Sequence, residues 1–417
     1  MRTQAGRPGP AHGVEGSLSD LFTTVTDVEA SLQQARDAGL LREMREVETA
    51  TGPHIRIDGN DVLLLCSNDY LGLAGDPRVR QAAAEAAETW GAGAGASRLV
   101  SGNLSPHVEL EARLAEFKGT EAAVLFGSGF LANMGVVAAL ARKGGVVFSD
   151  ELNHASLVDG CRLAGAETVI YPHADLDALA AGLERTGDRP ATIVTDSAFS
   201  MDGDLAPLEG IVDLAERYGA RLIVDEAHAT GTIGPGGRGL VSELGLDGRV
   251  DVMVGTLSKA LGSYGAYACC SETMAQYLVN RARTLIYSTA LPPTAVAAAA
   301  ESLRILSEES SSPGEQPGVV ATLRSRARTF REALAAEGFD VAQNEIPIVP
   351  LVIGDPEEAT AVCEAALEKG VFAQAIRPPT VPEGTSRLRL TVMATHSEED
   401  LRSAAKILAE AGHRVQG

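Results

Sequence analysis

The sequence predicts an α/β fold in which a large domain with a mainly parallel sheet flanked by helices is followed by a smaller α+β domain. Two observations predict it. Short apolar, β-branched runs alternate with helical segments from about residue 64 to residue 289, and each run ends at a turn of small or polar residues. This alternation is typical of right-handed crossover units that build a parallel sheet.

The first 63 residues precede this pattern. Residues 1–20 are rich in glycine, proline and polar side chains, so we expect them to form a disordered tail. Residues 21–63 should form an N-terminal segment that contains a helix near Val28 to Leu40 and short strands around Ile55 and Leu63.

The regular alternation assigns residues 64–292 to the large domain. Its strand-like runs lie at 122–126, 145–148, 167–170, 192–195, 221–224, 252–255 and 265–269. Helical segments between them include 130–142, 175–184 and 207–218.

Residues 293–417 should form the smaller domain. An alanine-rich helical stretch is followed by an interruption with serine and proline, Glu308 to Gly318. Strands are expected near 348–353 and 386–392, and a last helix from about Ser397.

The composition sets limits on function. The chain has a formal net charge of −21 and a pI near 4.8, which argue against a nucleic acid or an anionic membrane as partner. Because no run of about 18 apolar residues occurs, no membrane-spanning helix is expected. The five cysteines lack paired spacing and clustered histidines, so neither a disulfide framework nor a zinc site is indicated, and a reducing cytoplasm is the expected compartment.

Two side chains at predicted strand ends carry the main functional signal. Lys259 follows the run 252–255, and Asp225 ends the run that starts at Arg221. Parallel strands bring such residues to the carboxyl edge of a sheet, where open α/β folds bind ligands. A lysine there can lose its proton through burial and form a Schiff base, while a carboxylate can hold a proton on a pyridine nitrogen. The pair therefore indicates pyridoxal 5'-phosphate (PLP) as cofactor.

Three further stretches could complete a PLP site. Gly127-Ser128-Gly129-Phe130 precedes a helix, whose N–H groups and positive end suit a phosphate dianion. Ser200 could supply a hydroxyl near the ring, and His154 could lay its imidazole on the ring face. Each alone has a plainer structural explanation as a loop, turn or structural residue. Their shared position at predicted strand ends favours a single site.

Three other motifs lack the surrounding sequence that their usual function requires. Gly91 to Ala96 fits a loose dinucleotide pattern but follows a helical segment instead of a strand. Phe126 stands where a serine-hydrolase elbow around Ser128 would need its first glycine. His107 and Glu111 share a helix face, but without a third ligand we expect a solvated pair and no metal site.

Several stretches together resemble a known family. They are Ser67-Asn68-Asp69-Tyr70-Leu71-Gly72, Gly95-Ala96-Ser97-Arg98, Asp225-Glu226-Ala227-His228 and Thr256-Leu257-Ser258-Lys259. Over roughly residues 40–410 the chain resembles the α-oxoamine synthases, which are fold-type I PLP-dependent transferases. Tyr287 to Pro293 and Ala375 to Arg389 favour the biotin-pathway branch over glycine C-acetyltransferase, 5-aminolevulinate synthase and serine palmitoyltransferase.

The resemblance implies roles for the residues that match the family's motifs. Lys259 would be the Schiff-base lysine and Asp225 the partner of the pyridine nitrogen. His154 would stack on the ring, and with His228 these residues form the implied catalytic set. His228 and Ser200 would bond the ring oxygen or its surroundings.

The remaining implied residues hold the phosphate or the substrates. The phosphate-side residues are Gly129, Phe130 and Thr256, with Ser288 and Thr289 completing the cradle of a neighbouring subunit. The substrate-side residues are Arg42, Asn68, His154, Thr380 and Arg389. Arg389 would clamp the amino-acid carboxylate with its planar guanidinium. Arg42 and Thr380 would contact the acyl substrate, and Arg45 competes with Arg42 for that role.

The resemblance also implies a homodimer and a reaction. L-Alanine would condense, with loss of CO2, with a pimeloyl thioester carried by CoA or by acyl carrier protein. Three alternatives remain open at this point. They are another α-oxoamine synthase with a different acyl thioester, a PLP aminotransferase or lyase, and a non-catalytic protein that retains the fold.

Overall fold

The computed structural model describes residues 28–311, 318–342 and 344–416. The tail predicted at residues 1–20 lies outside this part of the chain, as does the middle of the interruption predicted at Glu308 to Gly318. Up to Ser311 that stretch continues a helix. The elements of the N-terminal segment are α1 Val28–Asp37, β1 His54–Ile57 and β2 Asn60–Leu64.

A seven-stranded sheet forms the centre of the large domain. Its strands are β3 Ala122–Phe126, β4 Val146–Asp150, β5 Glu167–Tyr171, β6 Ala191–Asp196, β7 Arg221–Asp225, β8 Val252–Thr256 and β9 Ala266–Cys270. Its helices are α2 Pro77–Trp90, α3 Ser105–Lys118, α4 Gly129–Leu140, α5 Ala155–Ala164, α6 Leu176–Thr186, α7 Leu208–Tyr218, α8 Leu240–Glu243, α9 Glu272–Arg281, α10 Arg283–Ile286 and α11 Pro293–Ser311. The predicted strands match these bounds within two residues, because most are apolar runs covered on both faces.

The strand order in this sheet is β3-β9-β8-β7-β6-β4-β5. The five strands from β8 to β5 are parallel, and β9 runs antiparallel to both of its neighbours, which confirms the predicted mainly parallel sheet. A short turn that carries Lys259, without a helix, joins β8 to β9, and only antiparallel strands allow such a connection. Asp196 on β6 pairs in register with Asp225 on β7, so their carboxyl ends lie side by side.

The C-terminal lobe is a small α+β unit. Its elements are α12 Val319–Ala336, β10 Ile348–Gly354, α13 Pro356–Glu368, β11 Val371–Phe372, β12 Gln374–Ile376, β13 Ser386–Thr391 and α14 Glu398–Gln416. The antiparallel sheet β10-β13-β12 contacts α13 and shares one apolar core with α12 and α14. β11 pairs parallel with β2, and Leu63 and Leu65 belong to the apolar core of this lobe. The N-terminal strands therefore fold with the C-terminal lobe.

Helix α11 packs on the large domain, although its residues fall in the smaller domain predicted at 293–417. It contacts α2 and α3, and Val296, Ala299 and Leu303 belong to the apolar core of the large domain. The sequence predicts a domain boundary at Pro292-Pro293, but Pro293 is the first residue of α11, and a proline at that position only starts a helix. The apolar face of α11 packs against the preceding helices α2 and α3. The chain therefore enters the C-terminal lobe only after α11.

The structure contradicts the expectation that His107 and Glu111 form a solvated pair. His107 is buried in α3, where its Nε2 lies 2.9 Å from the carbonyl oxygen of Leu291. Glu111 accepts two hydrogen bonds from the Arg98 guanidinium, at 2.9 and 2.8 Å, and one from the N–H of Leu125 at 2.8 Å. Glu111 and the Nε2 atom of His107 have partners on other segments, which helix spacing alone does not reveal. The buried Nδ1 of His107 has no hydrogen-bond partner among the described residues. No group of three or more potential metal ligands occurs in the described residues.

Two general features of the chain bear on the predictions from composition. Among the helices of the described ranges, none has both the length and the apolar composition needed to cross a membrane. The five cysteines are free thiols. Burial raises the pKa of Cys269 and of Cys270 to about 12, so both thiols stay protonated and unreactive.

A buried ion pair joins α3 to the turn after β7. Lys118 donates from Nζ to Glu226 Oε2 at 2.6 Å and to Thr230 Oγ1 at 3.1 Å. The second carboxylate oxygen, Glu226 Oε1, accepts from the N–H of Val241 at 2.9 Å. The two side chains are only 1% and 0% exposed. Because Glu226 directly follows Asp225, this pair fixes the backbone beside a predicted catalytic residue.

Replacing Lys118 with Met should destabilise the fold by about 3–5 kcal/mol, because the Glu226 carboxylate would stay buried without a cation. Urea unfolding followed by circular dichroism measures this change. Lys369→Met is the matched control, since it breaks the exposed Lys369–Glu410 pair and should leave the unfolding midpoint nearly unchanged. Equal midpoints for the two variants would contradict the role of the buried pair.

Candidate active site

Lys259 lies in the turn between β8 and β9. Gly262, with a φ of +58°, closes this turn by donating its N–H to the Lys259 carbonyl at 2.8 Å. Burial lowers the pKa of the Lys259 amine to about 8; the carboxylates of Asp225 and Asp196 oppose this shift, and the positive charge of Arg389 adds to it. At pH 8 about half of the amine is therefore an unprotonated nucleophile.

Asp225 ends β7 near this amine, and both of its carboxylate oxygens have donors. Oδ1 accepts from the N–H of Ala227 at 2.8 Å, and Oδ2 accepts from the side-chain amide of Asn133 at 2.6 Å. The residue is only 5% exposed. Two donors on a buried carboxylate fix its orientation, which suits a group that must face one ligand atom.

Asn133 connects Asp225 to His154 through Ser156. The Asn133 amide also donates to Ser156 Oγ at 2.9 Å, and this oxygen lies 2.7 Å from His154 Nδ1. The backbone N–H of Ser156 donates to the same Nδ1 at 3.2 Å, so this nitrogen is an acceptor and the neutral ring carries its proton on Nε2. Desolvation lowers the pKa of His154, against the charge of Asp225 and together with that of Lys259.

The sequence reasoning missed Asn133 and Ser156, which lie inside helices α4 and α5 and match no motif. It also gave no role to Asp196. Asp196 Oδ2 accepts from the backbone N–H of His154 at 2.6 Å, and burial and the nearby charge of Asp225 raise its pKa well above the usual range. A signal existed, because Asp196 ends β6 just as Asp225 ends β7.

A second set of contacts surrounds Arg389 on β13. Its Nε donates to the carbonyl of Ser200, and its Nη atoms donate to Asn68 Oδ1 at 3.1 Å and to the Tyr70 hydroxyl at 3.2 Å. The Tyr70 hydroxyl also lies 2.7 Å from His228 Nδ1. Four residues predicted separately thus meet, and Tyr70 joins them. The predicted hydroxyl of Ser200 is not the atom used in this contact.

His228 is almost fully buried, with 5% of its surface exposed. Burial and the positive charges of Lys259 and Arg389 lower its pKa well below the usual range. The imidazole is therefore neutral at physiological pH, and it offers one donor and one acceptor nitrogen.

The loop before α4 has the features of an anion site. Ser128 caps α4 by accepting from the N–H of Leu131 at 3.2 Å. A Cβ added to Gly129 would lie 2.6 Å from Thr256 Cγ2, so no larger residue fits without a shift. The hydroxyl of Thr256 is buried and has no hydrogen-bond partner among the described residues. Since buried polar atoms are almost always paired, this hydroxyl is available to a bound group.

Three other predicted cofactor residues lie around this loop. Phe130 is 41% exposed, and its ring centroid is 6.4 Å from that of His154 at an interplanar angle of 78°. Ser288 and Thr289 follow α10 and line a small cavity together with Gly127. In the chain described, both residues lie beside the loop of their own subunit, and their contribution to a neighbouring subunit's phosphate site stays a prediction.

Arg42 and Thr380 line a cavity of about 440 Å³ that the N-terminal segment shares with the C-terminal lobe. Arg45, the competitor of Arg42, forms an ion pair with Glu364. Arg42 has no ionic partner within the described ranges. Of the two guanidinium groups, that of Arg42 is the more available to a ligand in this cavity.

Comparison with known proteins gives long matches. Residues 60–408 match the model of the aminotransferase class I and II family. The chain is 49% identical to the 8-amino-7-oxononanoate synthase of Geobacter sulfurreducens over 389 residues, which are 93% of this chain and 98% of that protein. Proteins of the same name from Anaeromyxobacter dehalogenans and Thermoanaerobacter pseudethanolicus are 51% and 46% identical, over 88% and 93% of this chain and 91% and 97% of theirs.

Solved structures share the fold over a similar extent. A variant of serine palmitoyltransferase from S. paucimobilis, with PLP and myriocin bound, has a TM-score of 0.86 and is 33% identical, covering 93% of this chain and 97% of its own. The 8-amino-7-oxononanoate synthase of Francisella tularensis has a TM-score of 0.69 and is 26% identical, covering 84% and 97%. Both lobes are included in these similarities.

The low pKa of Lys259 can be tested on the cofactor-free protein. Competitive acetylation followed by mass spectrometry should give a half-maximal reactivity of Lys259 near pH 8. In Asp225→Asn this midpoint should fall, because the carboxylate that favours the charged amine is lost. The exposed Lys143 is the internal control and should show the same profile in both proteins. An unchanged Lys259 midpoint in Asp225→Asn would contradict the electrostatic link.

Proposed function

Because this chain belongs to the aminotransferase class I and II family, we propose that it is a PLP-dependent α-oxoamine synthase. It condenses L-alanine with a pimeloyl thioester and releases 8-amino-7-oxononanoate, CO2 and the free thiol, a step of biotin biosynthesis. The observation that carries this proposal is the 46–51% identity to synthases of that name over 88–93% of the chain.

The residues present fit PLP on three counts. The unpaired Thr256 hydroxyl, the tight approach at Gly129 and the N-terminal end of α4 suit a phosphate dianion. Lys259 supplies an amine of lowered pKa for the aldehyde carbon, and Asp225 supplies a carboxylate for the pyridine nitrogen. When bound, PLP supplies an electron-withdrawing protonated ring that makes the Cα proton of an amino acid acidic.

The side chains of the site divide the proton and charge chemistry among them. Asp225, whose carboxylate is oriented by two donors, would hold a proton on the pyridine nitrogen of bound PLP. His154, whose tautomer is set by Ser156, would place its neutral imidazole against the face of the pyridine ring. The Lys259 amine, unprotonated in part near neutral pH, takes the Cα proton of alanine and later returns one.

Arg389 holds the alanine carboxylate through its guanidinium, which Ser200, Asn68 and Tyr70 keep in position. The Cα of alanine then forms a bond with the thioester carbonyl carbon, the thiolate leaves, and the alanine carboxylate departs as CO2. Arg42 and Thr380 receive the acyl chain or its carrier in the cavity that they line. The acyl carrier is CoA or acyl carrier protein.

The protein functions as a homodimer in the cytoplasm under this proposal. Ser288 and Thr289 complete the phosphate site of the neighbouring subunit, as the resemblance to the family implies. The free thiols of all five cysteines agree with a reducing compartment.

The proposal is tested by measuring thiol release and product mass with L-alanine and pimeloyl-CoA or pimeloyl carrier protein. Lys259→Ala should lack the cofactor absorbance and form no product, whereas Lys143→Ala, an exposed lysine, should match the unmodified enzyme. Glycine with acetyl-CoA and L-serine with palmitoyl-CoA complete the panel. If thiol is released only with one of these other pairs, the protein is another synthase of the family. If alanine without a thioester converts PLP to pyridoxamine phosphate, the protein is an aminotransferase.

Thr256→Val tests the phosphate site. Because the hydroxyl is unpaired in the described structure, its loss should leave the melting temperature of the cofactor-free protein nearly unchanged but weaken PLP affinity by about tenfold. An absorbance titration with PLP measures the affinity. Thr230→Val is the matched control, since its hydroxyl contacts Lys118 and Tyr267 at 3.1 and 3.0 Å and its loss should lower stability instead. Unchanged PLP affinity in Thr256→Val would show that this hydroxyl does not bind the phosphate.

A further inference from the structure

His173, in the loop after β5, lies between two carboxylates. Its Nδ1 is 3.0 Å from Asp150 Oδ1 at the end of β4, and its Nε2 is 2.7 Å from Asp204 Oδ2 in the loop after β6. The backbone N–H of His173 donates to a third carboxylate, Glu151 Oε1, at 2.8 Å. Ionised carboxylates only accept hydrogen bonds, so this geometry requires a proton on each ring nitrogen. His173 is therefore an imidazolium held by two anions.

The carboxylate at Asp204 belongs to a closed hairpin. The N–H of Phe199 donates to the carbonyl of Asp204 at 2.9 Å, and that of Ala206 donates to the carbonyl of Ser197 at 3.0 Å. The ring of Phe199 packs edge-on against that of His173, with centroids 4.4 Å apart and an interplanar angle of 87°. We refer to residues 197–206 as the anchor hairpin. His173 thus contacts the anchor hairpin through a hydrogen bond to Asp204 and through ring packing against Phe199.

The anchor hairpin contacts the C-terminal lobe on its other side. The carbonyl of Ser200 accepts from Arg389 Nε, and the carboxylate of Asp202 pairs with Arg387, two residues earlier on β13. A Cβ added to Gly203 would lie 2.7 Å from the carbonyl oxygen of Ile348 on β10, so the hairpin backbone approaches this strand closely. Displacement of the hairpin would therefore move the group that orients the Arg389 guanidinium.

We propose that His173 is a positioning residue for amino-acid binding, which acts by tying the anchor hairpin to the end of β4 and thereby orienting Arg389. The proposal rests on the proposed role of Arg389 at the amino-acid carboxylate. Burial opposes the charge on His173, but the hydrogen bonds with Asp150 and Asp204 outweigh it, and the pKa of His173 is raised.

The raised pKa sets the direction of the pH effect. Because the folded-state pKa of His173 lies above the unfolded value, the contact of the imidazolium with the ionised carboxylates contributes fully just below the unfolded pKa and is lost as the pH rises through the folded pKa. The carboxylates that face His173 are Asp150 on β4, Glu151 in the turn after it and Asp204 on the anchor hairpin. Above the folded pKa one ring nitrogen would face a carboxylate without a proton between them.

The test compares the KM for L-alanine in the holoenzyme and in His173→Gln across pH. At low pH the variant should show about a tenfold higher KM, with kcat at saturating alanine nearly unchanged, because a charged hydrogen bond is lost. The ratio of the two KM values should fall toward one as the pH rises and the unmodified enzyme loses the same contact. Titration of Lys259 and of alanine occurs in both proteins and cancels in this ratio.

His54→Gln is the matched control, because it removes another imidazole–carboxylate pair, His54 with Asp400, on the surface. Its KM ratio should stay near one at every pH. A second measurement, nitrogen NMR of labelled histidines, should show both His173 nitrogens protonated at neutral pH, and Asp204→Asn should lower that pKa. A pH-independent KM ratio, or a neutral His173 ring at neutral pH, would overturn the inference.

Arg389→Ala separates the two proposals. If it leaves the alanine KM unchanged, the proposed role of Arg389 fails, and the link from His173 to amino-acid binding fails with it. If it raises the alanine KM while His173→Gln does not, only the inference about His173 is overturned.

Discussion

The candidate site depends on holding an amine and two carboxylates together at the carboxyl ends of adjacent parallel strands. The register of β6 and β7 places Asp196 beside Asp225, and the turn after β8 brings Lys259 to the same edge. Burial lowers the pKa of Lys259 to about 8, while the two carboxylates limit that shift. Without the carboxylates the amine would lose its proton more easily, and without burial it would stay charged at neutral pH.

Each buried charge near this edge has its own fixed partners. Asp225 and Glu226 are consecutive, and their side chains leave the chain on opposite sides, as those of an extended segment do. Asp225 meets Asn133 inside the site, whereas Glu226 meets Lys118 from α3 behind it. Two consecutive residues thus supply the carboxylate proposed to face the cofactor and the ion pair that holds the backbone beside it.

The proposed amino-acid end of the site forms where three parts of the chain meet. Asn68 and Tyr70 come from the segment after β2, Ser200 from the hairpin after β6, and Arg389 from β13 of the C-terminal lobe. Since the guanidinium is bonded to both of the other segments, its position depends on how the two lobes pack. The ion pair of Arg387 with Asp202 adds a second link between the same strand and the same hairpin.

The sequence by itself determined the fold class, the strands of the large sheet, the family and the residues at strand ends, and the matches to α-oxoamine synthases confirm the resemblance. Apolar periodicity and short motifs record such features because they depend on neighbours along the chain. The tertiary structure alone decided the partners of Asn133, Ser156, Asp196 and Tyr70, and the packing of α11 on the large domain. These contacts join residues far apart in sequence, and no local pattern records which distant atom will satisfy a buried polar group.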